Sequence, residues 1–140
     1  MLRAIIDTNV FIRYLIRPSF AVKNLIEAFW LTGVIQIVVA PELIEELTDV
    51  LQRKSIQRLV YADEGQALLD ALMQQAEVLP AIGNTPVYTR DAKDDKFVAC
   101  AIAGQADFLV TFDEDLLVLR QVGVTRVVTP QQLLAELTPP

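Results

Sequence analysis

The sequence contains no histidine and a single cysteine, Cys100. Without histidine, the chain cannot build a histidine-dependent catalytic triad, a histidine-ligated zinc site or an imidazole general base. With one cysteine it cannot form an intramolecular disulfide, and this composition is typical of a protein from a reducing cytoplasm. Any chemistry at a site of this protein must therefore rely on other side chains.

Long hydrophobic runs are also scarce. The most apolar region, LIEAFWLTGVIQIVVA, is interrupted by polar residues such as Glu27 and Gln36, which favours a helix followed by a strand over a membrane span. The N-terminus lacks the apolar run of a signal peptide. Since no repeat, low-complexity run or linker divides the sequence, we predict a single domain over 1–140, with 138–140 as a tail. The expected location is cytoplasmic, without membrane attachment.

Charge is distributed unevenly along the chain. The net charge is −6, which by itself argues against a nucleic-acid binder because phosphates repel an acidic surface. Residues 1–60 nevertheless carry seven Lys and Arg against six Asp and Glu, whereas residues 61–140 carry five against twelve. The excess acid therefore lies in the second half, and it is concentrated around 91–95 and 113–115.

Strand and helix patterns alternate along the sequence. Continuous apolar runs predict five strands, and the segments with helical spacing predict helices, of which the one over 91–104 has Gly104 as its expected C-cap. Because strands separated by helices pair in parallel, we expect a parallel sheet of about five strands covered on both faces. The predicted strands span 2–7, 34–40, 76–81, 106–113 and 125–129, and the predicted helices span 19–31, 41–53, 63–76, 91–104, 114–123 and 130–137.

Two of the predicted strands end on an aspartate. Asp7 follows the first strand, and Asp113 follows the fourth. In open α/β sheets, binding sites form outside the carboxyl ends of the strands, so both carboxylates are expected at one sheet edge. Each could instead cap the N-terminus of a helix, a common role of aspartate. The coincidence of the two, with Asp94 and Asp95 opening a further helix, favours a site over capping alone.

Helical periodicity places Glu46 beside the buried face of the predicted helix over 41–53. At 100° per residue, Glu46 falls about 100° from the centre of the apolar stripe, whereas Glu45 falls about 160° away and points into water. Glu46 can thus face the sheet edge, while Glu42, Glu45 and Asp49 are expected on the solvated face. The apolar stripe consists of Leu43, Ile44, Leu47, Val50 and Leu51.

This group of carboxylates predicts a bound cation. Three or four acids without a lysine or histidine between them repel one another unless a cation binds among them. Oxygen-only ligands select Mg²⁺ or Mn²⁺ over softer metals, and such ions can supply the nucleophilic water for hydrolysis of a phosphodiester. Chemistry of this kind needs no histidine, in agreement with the composition.

Four segments of the sequence form a recognisable set: IIDTNVFI (5–12), PELIEEL (41–47), DAKDDKFVACAIAGQADFLVTFDEDLL (91–117) and VVTPQQLL (127–134). Together they resemble the PIN-domain nucleases, and most of all the VapC-like PIN toxins of bacterial and archaeal toxin–antitoxin pairs. The acid-led helix that runs into LVTFD is the most specific part, and the resemblance covers nearly the whole chain. It implies a metal-dependent ribonuclease with an α/β/α sandwich fold.

The resemblance also implies roles for particular residues. Thr111 matches a hydroxyl position near the site, and Asn9 matches the asparagine of the DTN motif, which is expected to hold the loop after the first strand. The acids that match the catalytic and metal-binding positions of the family are Asp7, Glu46, Asp95 and Asp113.

The sequence at the start of the acidic helix leaves open which aspartate binds the metal. Asp94 and Asp95 are adjacent, so either or both could face the metal. Ala92 stands where the closest branch of the family often has proline, which would loosen the turn before the helix. Asp115 is a further candidate supporting acid. Since no core acid of the motif set is missing, a competent site is expected.

Two groups of basic side chains are candidate RNA contacts. Arg13 and Arg17 follow the first strand, and Arg53, Lys54 and Arg58 form the densest basic patch. Either group could instead be merely exposed to solvent, and cations near a helix C-terminus also interact favourably with the helix dipole.

The sequence thus predicts a Mg²⁺- or Mn²⁺-dependent endoribonuclease and toxin, with RNA as substrate, an antitoxin protein as partner and a homodimer as a candidate assembly. A receiver-like signalling module is an alternative from another class, but it would need a lysine at a strand end, where Thr129 and Pro130 stand. A PIN scaffold that binds RNA or a partner without catalysis is the other alternative, against which the four intact acids argue.

Overall fold

A six-stranded sheet forms the centre of the computed structural model, which describes residues 1–86 and 88–138. The strands are β1 (Leu2–Ile6), β2 (Ile35–Val39), β3 (Glu77–Val78), β4 (Phe108–Val110), β5 (Gln121–Val122) and β6 (Thr125–Val128). Their order is β3-β2-β1-β4-β6-β5, and neighbours are parallel except for the antiparallel pair β5 and β6. All five predicted strands are confirmed, and β5 is an addition. Residues 139–140 of the predicted tail lie outside the described residues.

Side-chain alternation divides the core between the two faces of the sheet. In β1, Ala4 and Ile6 belong to one hydrophobic cluster, and Ile5 belongs to the other. The same alternation holds in β4 and β6. Successive side chains of a strand point to opposite faces, so a sheet buried on both faces requires continuous apolar runs. The predicted α/β/α sandwich is therefore confirmed.

Helices cover both faces of this sheet. They are α1 (Thr8–Leu15), α2 (Phe20–Asn24) with a π-helical continuation (Leu25–Trp30), α3 (Pro41–Leu51), α4 (Lys54–Gln57), α5 (Ala62–Gln75), a 3₁₀ turn (Ala92–Asp94) leading into α6 (Asp95–Gly104), α7 (Glu114–Leu117) and α8 (Pro130–Leu137). One core receives side chains from α1, α2, α5 and α8, the other from α6 and α7, and α3 contributes to both. Within the described residues, no helix has the length and apolarity that crossing a membrane requires.

The helix predicted over 114–123 is wrong beyond its first turn. After α7 the chain turns at Arg120, which has a positive φ of 59°, and enters β5. Val122 pairs with Thr125 across a two-residue turn that begins with Gly123 at φ 58°. A tight hairpin turn favours glycine where φ is positive, so the glycine that resembled a helix end marks a hairpin instead. Helices α1 and α4 likewise form where the sequence pattern predicts none.

The predicted C-cap at Gly104 is wrong by one position. The left-handed residue is Gln105, with φ 48°, and Gly104 is the last helical residue. A β-carbon at Gly104 would lie 3.0 Å from Leu79 Cδ1 and 3.1 Å from Val38 Cγ1. Gly104 therefore serves close packing of α6 against the sheet rather than helix termination.

The topology brings the carboxyl ends of β1 and β4 together. The chain builds β2 and β3 on one side of β1 and then crosses back, so that β4 pairs on the other side. Ile6 pairs with Val110, and the Asp7 N–H donates to the Val110 carbonyl at 2.9 Å. Where strand order reverses in this way, an open α/β sheet forms a crevice at the carboxyl ends. The crevice lies at Asp7 and at the residues that follow Val110.

Candidate functional site

Asp7 lies at the end of β1 with only 5 % of its surface exposed. It caps α1, since Oδ1 accepts a hydrogen bond from the Asn9 N–H at 3.4 Å, and Oδ2 accepts one from the Thr111 hydroxyl at 2.7 Å. Desolvation, which outweighs these hydrogen bonds, and the charges of Glu46 and Asp113 together raise the pKa of Asp7 to about 6. Asp7 is thus both the N-cap of α1 and a member of the acid cluster.

Thr111 joins the two strand ends. Its buried hydroxyl donates to Asp7 and accepts from the Asp113 N–H at 2.9 Å. Asp113 in turn caps α7, accepting from the Asp115 N–H at 2.9 Å. The hydroxyl therefore sets the relative position of the segments that carry the two strand-end acids.

Asn9 connects α1 to the segment after β4. Its side-chain Oδ1 accepts a hydrogen bond from the Phe112 N–H at 3.4 Å, while its own N–H donates to Asp7. The two strand-end segments are thereby held by side chains as well as by the sheet.

The adjacent acids at the start of α6 face in different directions. Asp95 Oδ1 accepts from the N–H groups of Tyr88 and Thr89, at 3.0 and 2.8 Å, and from the Thr89 hydroxyl at 3.0 Å. Desolvation acts to raise the pKa of Asp95, but these hydrogen bonds outweigh it and hold the pKa below its usual value. Asp95 thus secures the segment before α6 through its Oδ1.

Asp94 is the member of the pair that faces the cluster. It is 8 % exposed, and its buried Oδ2 has no hydrogen-bond partner among the described residues. A carboxylate oxygen of Asp94 lies within 4.8 Å of carboxylate oxygens of Asp113 and Asp115. Burial and the neighbouring Asp113, with smaller contributions from Asp7 and Asp91, raise the pKa of Asp94 to about 7. A buried acid without a partner among other acids is the arrangement that a cation stabilises.

The donor set of the cluster fits a hard divalent cation. Asp7, Asp94 and Asp113 offer only carboxylate oxygens, which are the ligands that Mg²⁺ and Mn²⁺ prefer over thiolates and imidazoles. Asp115 has a carboxylate oxygen within 4.8 Å of those of Asp94 and Asp113, and its Oδ1 also accepts a hydrogen bond from Arg90 Nη2 at 3.0 Å. The unpartnered Asp94 oxygen is the feature of this structure that favours an ion.

Glu46 reaches the same cleft from α3, but both of its oxygens are engaged. Oε1 pairs with Lys96 Nζ at 2.7 Å, and Oε2 accepts from the Thr8 hydroxyl at 2.5 Å. The expectation that no lysine stands between the acids is therefore wrong. The helix phase is as periodicity predicts, with Glu46 half-buried and Glu45 exposed. Sequence reasoning missed Lys96 because its contact depends on the packing of α6 against α3.

Glu42 is not on the solvated face of α3 as expected. Its Oε2 accepts hydrogen bonds from the N–H groups of Ile82 and Gly83, at 2.7 and 2.9 Å. The hydrogen bonds from Gly83 and Ile82 hold the pKa of Glu42 below its usual value. Glu42 thus anchors the segment after β3 and belongs to the framework of the fold.

Cations surround the acids in a cleft of about 530 Å³. Lys54 and Arg58, expected as RNA contacts, lie on and just after α4 and are absent from the described lining of this cleft. Acids at the sheet end and cations around them suit a substrate whose phosphates need both a metal and positive side chains. The basic residues that line the cleft are Arg13, Arg17, Arg53 and Lys93.

Comparison with known proteins gives one family and a similar solved structure. The sequence pattern of the PIN domain matches residues 3–115. A similar fold occurs in the crystal structure of VapBC2 from Rickettsia felis bound to a DNA fragment from their promoter, with a TM-score of 0.59 and 15% identity over 90% of this chain and 97% of that chain. At this identity the likeness is one of fold. No curated protein matches the sequence significantly.

Proposed function

Because the chain belongs to the PIN-domain family, we propose that it is a Mg²⁺- or Mn²⁺-dependent endoribonuclease. The observation that carries this proposal is the buried Oδ2 of Asp94, which lies beside Asp113 at the crevice of the sheet and has no hydrogen-bond partner within the described part of the chain. Asp7, Asp94 and Asp113 would hold the ion. When bound, a divalent ion supplies a Lewis acid for phosphate oxygens and lowers the pKa of water.

Residues that contact the acids or line the cleft have supporting roles in this proposal. Thr111 orients Asp7 through its hydroxyl, and Lys96 holds Glu46 and offsets its charge, which reduces repulsion of an incoming phosphate. Arg13 and Arg17 bind phosphates of the strand and position it, without reading its sequence. Family membership leaves no reason to retain the receiver-like alternative.

We further propose that the protein is the toxin of a toxin–antitoxin pair. The likeness in fold to VapBC2 supports this assignment. A basic segment of an antitoxin would be attracted by the acidic cleft, and an arginine reaching the acids would form charge-assisted hydrogen bonds in place of a metal. The product of the neighbouring gene should bind the protein and block its activity. A neighbour that does neither would overturn the toxin assignment and leave the nuclease assignment intact.

Cleavage of RNA by highly purified protein tests the nuclease proposal. We expect cleavage with Mg²⁺ or Mn²⁺, loss of cleavage in excess EDTA, and poor support by Ca²⁺, which prefers looser and higher coordination. Unchanged cleavage in EDTA would contradict the metal mechanism. Binding of RNA without cleavage by any of these ions would favour the non-catalytic scaffold.

A matched pair of variants tests whether the cleft is the site. Glu46→Gln removes the charge that holds Lys96 in place beside the acids, so it should lower the cleavage rate by roughly 10²–10³, on the scale of losing one preorganised electrostatic contact in an active site. Glu45→Gln should stay close to wild type, because solvent screens an exposed charge. Both substitutions remove one negative charge from adjacent positions, so net charge cannot explain a difference. Equal behaviour of the two variants would contradict the proposed site.

A further inference from the structure

Two exposed phenylalanines line a cavity that shares Arg13 with the acidic cleft. Phe20, the first residue of α2, is 78 % exposed, and Phe112, directly before Asp113, is 39 % exposed. Isolated exposed aromatic residues are common, but these two line one cavity of about 420 Å³. A shared cavity with two partly exposed aromatic rings has the composition of a binding site.

Arg13 connects this cavity to the acids. It lines both the cavity of Phe20 and the cleft of Asp7, and its guanidinium carbon lies 5.8 Å from the centroid of the Phe112 ring. The Phe112 N–H donates to Asn9, so the segment that carries the ring is tied to the start of α1. The position of the aromatic group is therefore coupled to the position of the acids.

Aromatic rings beside an arginine form a surface suited to nucleobases. Proteins that bind single-stranded nucleic acids stack bases on aromatic side chains and add cation–π contacts from arginine. Bases in a duplex are already stacked on one another and are not free to do this. A purely apolar protein segment would have no use for the guanidinium that this cavity shares with the acidic cleft.

We propose that Phe20 and Phe112 form a stacking platform for unpaired nucleobases next to the phosphate that is cleaved. This inference rests on the proposed nuclease function and deepens it, because it assigns to Phe20 and Phe112 the contacts that would hold the bases of the substrate. Phe112 directly precedes Asp113, so a base on its ring belongs to a nucleotide close to the scissile bond. The platform thus selects unpaired segments, while the arginines hold their phosphates.

Binding without cleavage tests the platform directly. In an Asp7→Asn background with Mg²⁺, short single-stranded RNAs carrying 2-aminopurine at successive positions are titrated with protein. We expect quenching of the fluorescence at one or two positions, since stacking quenches this base. The double variant Phe20→Leu and Phe112→Leu should abolish the quenching and weaken binding by about tenfold or more, on the scale of lost base–aromatic stacking.

Salt dependence and a control variant separate stacking from other causes. The slope of log affinity against log salt should be unchanged in the phenylalanine variants, because no charge is lost, and shallower in Arg13→Gln. Tyr61→Leu alters an equally exposed aromatic residue (76 % exposed) that lines a different cavity, and it should bind RNA like the background. Phe20→Leu alone serves as the test if the change at Phe112 lowers the melting temperature.

Several results would overturn the platform. One is an absence of quenching when the background protein binds RNA, and another is an equal affinity of the background and the double variant for RNA. A third is a double variant that loses self-association or antitoxin binding while it still binds RNA. The last result would assign the cavity to a protein partner. Failure of the nuclease proposal is recognised separately, as absence of metal-dependent cleavage by the wild type, since the binding assay requires no cleavage.

Discussion

Short polar side chains, rather than further carboxylates, set the geometry of the acids in the cleft. One hydroxyl, that of Thr111, contacts both strand-end segments, and the Thr8 hydroxyl holds Glu46. Such contacts fix a carboxylate in one orientation, which lowers the cost of ordering it when a ligand binds. At the scale of residues, the hydrogen-bond partners of the acids therefore determine the geometry of the site.

Substitutions at Asp94 and Asp95 should have opposite effects although the residues are adjacent. Asp94→Asn removes a charge from a repelling cluster, so we expect cleavage to be lost while the melting temperature is maintained or raised. Asp95→Asn weakens three hydrogen bonds to Tyr88 and Thr89, so it should melt at a lower temperature and retain cleavage while folded. Cleavage assays and thermal melts check both. An inactive but fully stable Asp95→Asn variant would contradict the assignment.

We predict that the positive charge of Lys96 lowers the affinity of the cleft for a metal ion. Lys96→Met removes the cation paired with Glu46, so the cleft becomes more negative and Mn²⁺ should bind several-fold tighter by titration calorimetry. Lys54→Met makes the same change of net charge on α4, away from the described cleft lining, and should leave the affinity nearly unchanged. If the two variants bind Mn²⁺ alike, the influence of Lys96 is not local.

At the scale of elements, prediction succeeds where a pattern repeats over several residues. Helix α8 has its predicted bounds, since Thr129 and Gln132 form a capping box before an amphipathic run. The 3₁₀ turn before α6 has no such repeat, so the sequence left open which of Asp94 and Asp95 faces the other acids, and the structure places Asp94 beside Asp113 and Asp115. The pairing of Glu46 with Lys96 had no local signal, since it arises from contact between two helices.

Two helical glycines should respond oppositely to alanine. At Gly104 a β-carbon would crowd Val38 and Leu79 at 3.1 and 3.0 Å, so Gly104→Ala should lower the free energy of unfolding by about 1 kcal/mol. At Gly65, within α5, the nearest atoms are Leu51 methyls at 3.6 and 3.7 Å, so Gly65→Ala should raise it by about 0.5–1 kcal/mol through helix propensity. Urea denaturation measures both. The same sign for the two variants would contradict this account of α6 packing.

At the scale of the whole molecule, the acids make stability depend on pH and metal together. The pKa of a free aspartate is 3.8, whereas the folded chain has a pKa of about 6 at Asp7 and about 7 at Asp94. Between these values the folded state binds more protons than the unfolded state, so the metal-free protein should become more stable as pH falls from about 7.5 to about 5. Since Mg²⁺ competes with these protons, it should raise the melting temperature more at the higher pH.

Melting curves of wild type and Asp7→Asn in metal-free buffer check this dependence. The variant lacks one of the two titrating groups, so its melting temperature should vary less with pH and equal or exceed that of wild type at neutral pH. Added Mg²⁺ should raise the wild-type melting temperature more than that of the variant. A variant that melts well below wild type at neutral pH would mark Asp7 as mainly a helix cap.

The edge strands of the sheet also affect how the protein behaves in a crowded solution. Both edge strands, β3 on one side and β5 on the other, are only two residues long. So short a strand offers few free backbone groups on which another chain could extend the sheet, and natural proteins use this device against polymerisation. The apolar central strands, which are the most prone to aggregate, are thereby kept from neighbouring molecules. A homodimer of this chain would accordingly pair helical surfaces rather than join two sheets.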